Sequence, residues 1–454
     1  MYRFVRDQVE FRLFDFLKTL NNTFNMVNFL FKNVFLLLTL LPITISAQTF
    51  TRVGNPDDVD TDHKQGFLLM GGANDNFDGL EWFYALANVG DIVIIRYDTG
   101  TGYNTDFNDY PMNSITTIES INTITKANNP DVEEAIRNAE AVFIPGGNQW
   151  NYYNTWKGTK LHEALLYLIN EKGGSVGGTS AGLAVLGEFL YTAQNNTVFS
   201  SEALENPYNH RMTIANDFLN IPILQSVITD SHFNRKESDG YDRQGRLFAF
   251  VGRIAKDWQR NPAMGIGVNE YTAVGIDEDG KGYVFGNPSY DDFAYFLVSD
   301  DCLPEACEDG TPLTWNCNER AVKVVIVKGK RTNPDYFDLN TWDDCSECSW
   351  EYWYSINGVL HKTDATTSAP FLSKTDDIIN VYPNPASREI WVNGKDEMVK
   401  RVDIFSSTGE LALTEKSEGF GEIQIKITHL PNGAYLVRMH TNSGVYTTRL
   451  IITR

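Results

Sequence analysis

The sequence predicts an α/β fold with a doubly wound, mostly parallel sheet, followed by a small all-β sandwich. Short apolar runs alternate with helical stretches from residue 66 to residue 273, and period-two runs separated by turn signals follow residue 378. The 454 residues suggest two to three domains at ~150 residues each. A content of 42% apolar and 21% charged residues is typical of a globular protein, which excludes the disordered and fibrous classes.

The N-terminal region contains one strongly apolar run, residues 34–46, which follows a lysine and precedes an alanine. Pro42 interrupts the run, which is shorter than the ~20 residues that a spanning helix needs. We therefore predict a secretory signal peptide at 26–47, with an uncleaved anchor as the alternative. Residues 1–25 precede the expected start of such a peptide and are interpreted as a gene-model extension.

The central region has the alternating pattern of βαβ units, and a catalytic domain is predicted over residues 48–358. Strands are predicted at 66–70, 91–95 and 141–144, and helices at 80–87, 132–139 and 160–171. Such units form a parallel sheet that is covered on both faces. In these sheets the ligand site lies at the carboxyl ends of the strands.

The candidate nucleophile is Ser180, in the segment Gly178-Thr-Ser-Ala-Gly182 between a predicted strand and an apolar run, 183–190, that predicts a helix. This arrangement is typical of a nucleophile elbow, in which the two glycines let the chain turn sharply. The N–H of Ala181 is then a natural donor to an oxyanion. Serines flanked by glycine also occur in ordinary turns. A nucleophilic role for Ser180 therefore also requires a general base close to its hydroxyl.

The candidate base is His232, which ends an apolar run in the way that active-site residues end strands. Glu270 ends the run 265–270 and is the candidate carboxylate that orients the imidazole. The alternatives are a structural histidine and a glutamate at a hairpin edge. The chain order Ser180, His232, Glu270 differs from the Ser, acid, His order of ordinary α/β-hydrolases.

Five motifs in this order resemble those of cyanophycinase-like serine peptidases, relatives of dipeptidase E on a class I glutamine-amidotransferase-like fold. They are Gly146-Gly-Asn-Gln149, the Gly-Gly-Thr-Ser-Ala-Gly segment at 177–182, Asp230-Ser-His-Phe233, Arg243-Gln-Gly-Arg-Leu247 and Gly265-Ile-Gly-Val-Asn-Glu270. The resemblance covers residues 66–274. It implies that Ser180 is the nucleophile, His232 the base and Glu270 the orienting acid, with no metal or organic cofactor.

The same resemblance implies that Gln149, Asp230, Arg243 and Arg246 line the substrate pocket, and that the N–H of Gly147 is a second oxyanion donor. The two arginines could hold a substrate carboxylate bidentately, or be solvated at the start of a helix over 246–251.

Two departures from the family concern the substrate. Ser231 stands where the family usually has glutamine, and the segment 234–242 is longer than in the family. The family suggests β-aspartyl-arginine links of cyanophycin as the substrate, and another aspartyl-type peptide is the alternative. A non-catalytic binding protein and an esterase with the same triad also stay open.

The five cysteines all lie between Cys302 and Cys348, so no earlier cysteine can be a nucleophile. An odd count leaves at least one without a partner in the chain. Cys345 and Cys348 have the spacing of zinc ligands, but the other three form no matching pair. A loop closed locally by disulfides is therefore favoured over a zinc site.

The C-terminal region, 378–454, follows a predicted linker at 359–377 and reads as the β-sandwich. Its segments Asn380-Val-Tyr-Pro-Asn-Pro, Leu430-Pro-Asn-Gly-Ala-Tyr and Leu450-Ile-Ile-Thr-Arg resemble the type A sorting domain of type IX secretion. The resemblance implies export through the periplasm and outer membrane, with the secretion machinery as a partner. A carbohydrate- or protein-binding sandwich is the alternative.

The net charge of −21 predicts that the protein has no nucleic-acid partner, because an acidic surface repels phosphate backbones. The predicted partners are a peptide substrate and the secretion machinery. The sequence leaves open whether the protein is a homodimer.

Overall fold

The computed structural model describes residues 18–27, 48–363, 366–367, 380–406, 411–441 and 445–454. The chain divides into one unit of residues 1–48 and another of residues 49–454. Residues 18–27 are helical, and no helix in the described ranges combines the length and apolar character needed to cross a membrane. The predicted signal peptide, 26–47, lies outside the described residues except for its first two positions.

The first sheet has nine strands, and its centre is parallel as the sequence predicts. These strands are β1 (Phe50–Gly54), β2 (Phe67–Met70), β3 (Asp91–Ile95), β4 (Ser114–Ile118), β5 (Ala141–Ile144), β6 (Ser175–Thr179), β11 (Ala273–Ile276), β12 (Lys281–Phe285) and β15 (Tyr336–Asp338). Their order is β1-β4-β3-β5-β6-β2-β11-β12-β15, in which β4, β3, β5, β6 and β2 run parallel. The remaining pairs are antiparallel, so the sheet is mixed.

Helices cover both faces of this sheet. The α-helices after residue 48 are α1 (Phe77–Leu86), α2 (Ile124–Ala127), α3 (Pro130–Asn138), α4 (Gln149–Trp156), α5 (Lys160–Tyr167), α6 (Ala181–Ala184), α7 (Ser200–Glu205) and α8 (Gln244–Asp257), among the described residues. Phe83 of α1 packs with Phe143 on one face, whereas Ile136 of α3 and Leu165 of α5 pack with Val142 on the other. Alternate residues of one strand therefore serve two cores, which is why β5 is apolar throughout.

A second sheet of seven strands follows, which the sequence prediction did not contain. Its strands are β9 (Val227–Asp230), β10 (Met264–Val268), β13 (Phe293–Ser299), β14 (Val322–Lys328), β16 (Ser349–Ile356), β17 (Val359–Lys362) and β18 (Thr366–Thr367). Their order is β17-β16-β14-β13-β10-β9, with β18 beside β16. Only β9 and β10 are parallel. Helix α8 packs against this sheet, where Leu247 and Val251 lie close to Gly265.

The helix predicted at 183–190 is wrong, because α6 ends at Ala184. The N–H of Phe189 donates to the carbonyl of Val227 at 3.0 Å, so the chain leaves the helix to lie along β9. A two-stranded pair, β7 (Leu190–Tyr191) with β8 (Ile214–Ala215), continues from there. Pairing with a distant strand has overridden the local helical pattern.

The start of the predicted linker is also wrong. Val359–Lys362 forms β17, which pairs antiparallel with β16, so ordered structure extends past residue 358. Residues 364–365 and 368–377 of the predicted linker lie outside the described residues.

The C-terminal region is all-β, as predicted, and its five strands belong to one antiparallel sheet. They are β19 (Asn380–Tyr382), β20 (Glu389–Ser406), β21 (Leu411–Lys426), β22 (Gly433–Thr441) and β23 (Val445–Ile452). The pairing of the long strands β20 and β21 contains three register shifts. Its buried residues, Ile390, Val402 and Val437 among them, form a core of their own.

Candidate active site

Ser180 lies at the carboxyl end of β6, at the sharp turn into α6. Its backbone has φ +54° and ψ −109°, outside the regions that non-glycine residues favour. The N–H of Ser180 donates to the carbonyl of Met70 at 3.0 Å, and its own carbonyl accepts from the N–H of Ala184 at 3.0 Å. Strained residues of this kind persist only where surrounding structure holds them, and they cluster at functional sites.

Gly182 explains why the turn can be so tight. A Cβ at Gly182 would lie 1.9 Å from the carbonyl oxygen of Ile144, and one at Gly178 would lie 2.4 Å from the carbonyl carbon of Gly182. Any larger residue would separate β6 from α6 and from the end of β5. The two glycines that the sequence analysis identified are therefore required by close backbone approach.

The side chains of Ser180, His232 and Glu270 form one hydrogen-bonded chain. Ser180 Oγ lies 2.8 Å from His232 Nε2, and His232 Nδ1 lies 2.7 Å from Glu270 Oε1. His232 follows β9 and Glu270 follows β10, both in the second sheet, whereas Ser180 comes from the first. The site therefore forms where the two sheets meet.

The loop Gly71–Gly72 after β2 joins these parts, although the sequence analysis did not identify it. Its carbonyls accept from the N–H of His232 at 2.7 Å and from the N–H of Tyr271 at 3.0 Å. Gly72 has φ +96°, and a Cβ there would lie 2.6 Å from the imidazole of His232. The pair of glycines after the first strand was the available signal.

Burial lowers the pKa of His232 below its ordinary value. The hydrogen bond that His232 donates to Glu270 raises this pKa, and the positive charge of Arg243 lowers it further. The imidazole is thus held neutral at neutral pH, which is the state that can accept a proton.

Both expected oxyanion donors line the cavity beside Ser180. Ala181 is the first residue of α6, so its N–H has no partner within the helix. In the described part of the chain, no hydrogen bond uses the N–H of Gly147. A Cβ at Gly147 would lie 2.3 Å from the hydroxyl of Tyr152, which donates to the carbonyl of Pro145 at 3.0 Å and supports this loop.

The cavity has a volume of about 290 Å³, and its lining is mostly polar. The predicted pocket residues Gln149, Asp230, Arg243 and Arg246 all line it, and the structure adds Asn148, Tyr191, Asn196, Thr197, Ser231 and Arg235. Gln149 donates through Nε2 to the carbonyl of Tyr191 at 3.3 Å. The resemblance therefore identified residues that the fold brings together around Ser180.

The two expected arginines are neither solvated nor free. Arg246 is 3% exposed and donates to both carboxylate oxygens of Asp230, from Nε at 2.8 Å and from Nη2 at 2.6 Å. Arg243 donates from Nε and Nη2 to Glu237 Oε1, at 2.9 and 2.8 Å. The interpretation of solvated arginines on a helix surface is wrong, because α8 buries this end against β9.

Arg235 is the pocket arginine that the sequence analysis missed. Its side chain is exposed, and within the described ranges it forms no ion pair or side-chain hydrogen bond. It lies three residues after His232, near the start of the segment 234–242. Its closeness to the base motif was the only signal.

One group in the described part of the chain has the residue types of a metal site: Asp60, His63 and Glu140, whose ligand atoms lie within 4.8 Å of one another. Glu140 already accepts from Lys172 Nζ at 3.0 Å and from the N–H of Asp91 at 2.6 Å. The ammonium of Lys172 supplies the positive charge that a cation would bring. None of the three lines the cavity beside Ser180.

The cysteines form two close pairs, Cys302 with Cys317 and Cys345 with Cys348. Cys307 is buried, and burial raises the pKa of its thiol to about 11. Among the described residues, no group of potential metal ligands contains Cys345 or Cys348, which pair with each other, so the zinc interpretation has no support.

Comparison with known proteins identifies two regions of the chain. Residues 101–280 match the model of Peptidase family S51, a range that contains Ser180, His232 and Glu270. Residues 380–453 match the model of the secretion system C-terminal sorting domain.

Several curated relatives are cyanophycinases. The chain is 24% identical over 238 residues to a cyanophycinase of Geminocystis herdmanii, across 49% of this chain and 79% of that protein. A cyanophycinase of Synechococcus elongatus is 28% identical over 148 residues, across 33% of this chain and 39% of that protein. Among solved structures, a peptidase from an acI-B1 actinobacterium covers 59% of this chain and 95% of its own, at 15% identity and a TM-score of 0.37.

The resemblance that the motifs carry is therefore confirmed: residues 101–280 match the model of peptidase family S51, cyanophycinases are among the similar proteins, and residues 380–453 match the model of a secretion-system sorting domain.

Proposed function

We propose that the protein hydrolyses a peptide bond through Ser180, His232 and Glu270, on a class I glutamine-amidotransferase-like fold. The main observation in support of this proposal is the chain of hydrogen bonds from Ser180 Oγ through His232 to Glu270, at 2.8 and 2.7 Å. Ser180 attacks the scissile carbonyl while His232 Nε2 takes the hydroxyl proton. His232 then gives that proton to the leaving amine, and Glu270 stabilises the imidazolium.

The negative charge that develops on the carbonyl oxygen is held by the N–H groups of Gly147 and Ala181. This role is supported by their position in the lining of the cavity next to Ser180. Donors that are fixed before the reaction starts need no reorganisation as the charge develops. Water then attacks the acyl-enzyme by the same route, with His232 again as the base.

The proposed substrate is an aspartyl-type or β-aspartyl peptide. Three arginines line the cavity, and Asp230 and Glu237 pair with two of them, so the positive charge of Arg235 is left to favour a substrate with a carboxylate beside the scissile bond. Cyanophycin, the substrate that the name of the relatives indicates, is one such polymer. Gln149 and Asp230 complete the proposed pocket.

The sorting domain places the protein outside the cytoplasm, secreted or attached to the cell surface. We propose type IX secretion as the route, with a signal peptide at 26–47 and a catalytic domain that begins at residue 48. The two close cysteine pairs are proposed disulfides, which an exported protein can form.

Ser180→Ala tests the mechanism directly. We expect the variant to fold normally and to lose about 10³-fold or more in kcat/KM on a β-aspartyl dipeptide. It should also lose labelling by a fluorophosphonate probe, whereas Ser289→Ala, at an exposed turn, should keep both activities. Turnover by Ser180→Ala at the rate of the unmodified protein would overturn the proposal.

The same experiment separates the two other candidates. Labelling with no turnover of any ester or peptide would favour a binding protein that retains a reactive serine. Turnover of an ester but not of a matched β-aspartyl dipeptide would favour an esterase.

A further inference from the structure

Three arginines line the cavity beside Ser180, but the protein's own carboxylates already bind two of them. Asp230 binds Arg246 through both oxygens. Glu237 binds Arg243, whose Nε and Nη2 both donate to Oε1. The side chains of Arg243 and Glu237 are only 12% and 15% exposed, so solvent screens this pair less than a surface pair.

Glu237 belongs to the segment 234–242, which has a defined fold. The N–H of Glu237 donates to the carbonyl of Tyr241 at 2.8 Å, which closes the segment on itself. Asp239 accepts from the N–H and the hydroxyl of Ser201, at 3.2 and 2.7 Å, which ties the segment to α7. The segment therefore holds a carboxylate in place against Arg243.

Little of Arg243 is left for a ligand. Its third nitrogen, Nη1, donates to the carbonyl of Ser231 at 2.9 Å and lies 4.0 Å from Asp230 Oδ1. A substrate carboxylate that binds Arg243 through the edge formed by Nε and Nη2 must therefore displace Glu237. Arg235 stays available without such displacement.

We propose that Glu237 is a specificity-determining residue, whose carboxylate competes with a substrate carboxylate for Arg243. The inference rests on the proposed function, because it concerns the pocket of the same site. Glu237 would weaken the binding of acidic substrates and leave neutral ones unaffected.

Glu237 also offsets part of the positive charge of Arg243, which acts on the base. His232 faces Glu270, Arg243 and Arg235, while Arg243 faces Glu237, Asp230 and Arg246. Arg243 lowers the pKa of His232, so loss of the negative charge on Glu237 leaves that effect less compensated. The acidic limb of the kcat/KM profile should therefore move to lower pH when Glu237 is neutralised.

The test compares two substrates of the full-length protein that differ by one charge: β-aspartyl-leucine with a free α-carboxylate on the aspartyl residue, and the same dipeptide with that carboxylate as an amide. In Glu237→Gln we expect KM for the acid to fall about tenfold and KM for the amide to stay unchanged, since hydrogen bonds to charged groups have this magnitude. The kcat for either substrate should change little.

Asp239→Asn is the matched control, because it removes a carboxylate of the same segment that binds Ser201 rather than an arginine. We expect it to keep the acid-to-amide ratio of KM and the acidic limb of the unmodified protein. An unchanged ratio in Glu237→Gln, or an equal change in Asp239→Asn, would overturn the proposal.

Calorimetric titration of the two dipeptides into Ser180→Ala, with and without Glu237→Gln, separates this inference from the proposed function. If neither dipeptide is hydrolysed but Glu237→Gln strengthens binding of the acid alone, the reaction is wrong and the role of Glu237 stands. If both dipeptides are hydrolysed but the acid binds equally well with and without Glu237→Gln, the reaction stands and the role of Glu237 is wrong.

Discussion

The two sheets of residues 49–363 contribute to the site in different ways. The first sheet positions Ser180 by close backbone packing, in which Gly182 lies against the carbonyl of Ile144. The second sheet positions His232 beside charged side chains, with Glu270 on its Nδ1 and Arg243 close enough to lower its pKa. The nucleophile is therefore sensitive to volume, whereas the base is sensitive to charge.

The largest expected effect concerns the charged residues that the second sheet places around His232. Glu270→Gln keeps the shape of the side chain, but the amide does not hold the imidazole in the same tautomer or stabilise the imidazolium. We expect kcat/KM on a β-aspartyl dipeptide to fall by about 10² to 10⁴-fold, with a thermal midpoint close to that of the unmodified protein.

Glu278→Gln provides the control for Glu270→Gln. Glu278 follows β11 in the turn before β12 and pairs with Lys64 at the surface, so its loss should leave kcat/KM unchanged. If Glu270→Gln kept full activity, Glu270 would not be the orienting acid.

The next effect tests the close backbone packing by which the first sheet positions Ser180. Gly182→Ala places a methyl group 1.9 Å from the carbonyl oxygen of Ile144, which requires β5 and α6 to move apart. We expect the free energy of unfolding, measured with denaturant, to fall by about 3 kcal/mol. Activity should fall with it, because Ser180 moves.

Gly252→Ala is the matched change beside the second sheet. A Cβ at Gly252 in α8 would lie 3.3 Å from the ring of Trp315, and alanine favours the helix by about 1 kcal/mol. We therefore expect a change in stability of less than about 1 kcal/mol. Equal losses in both variants would remove the distinction between the two sheets.

The smallest effect concerns pH. Because burial lowers the pKa of His232 below its ordinary value of 6.5, kcat/KM should reach half of its maximum below pH 6.5 on the acidic side. The unfolded chain binds this proton more readily than the folded protein does, so the contribution of His232 to stability falls as pH drops through that window. A half-maximum above pH 6.5, measured over pH 4 to 8, would contradict this picture.

The sequence predicted well those features that depend on local pattern. The strands at 67–70, 91–95 and 141–144 are fully buried runs, and two of the predicted helices begin at the capping residues Asn129 and Thr159. The helix predicted at 183–190 failed because Phe189 pairs with β9. The second sheet was missed because its antiparallel strands lack the alternation of strands and helices that predicted the first sheet.

By itself, the sequence determined the turn at Ser180, the alternation of strands and helices, and the candidates for base and acid. These features depend on residues that are adjacent in the chain, or on motifs that relatives share. Only the tertiary structure decided that Glu237 and Asp230 bind the two expected arginines, and that Arg235 is left without a partner among the described residues. The physical reason is that an arginine binds whichever carboxylate the fold brings within about 3 Å, and spacing along the chain does not set that distance.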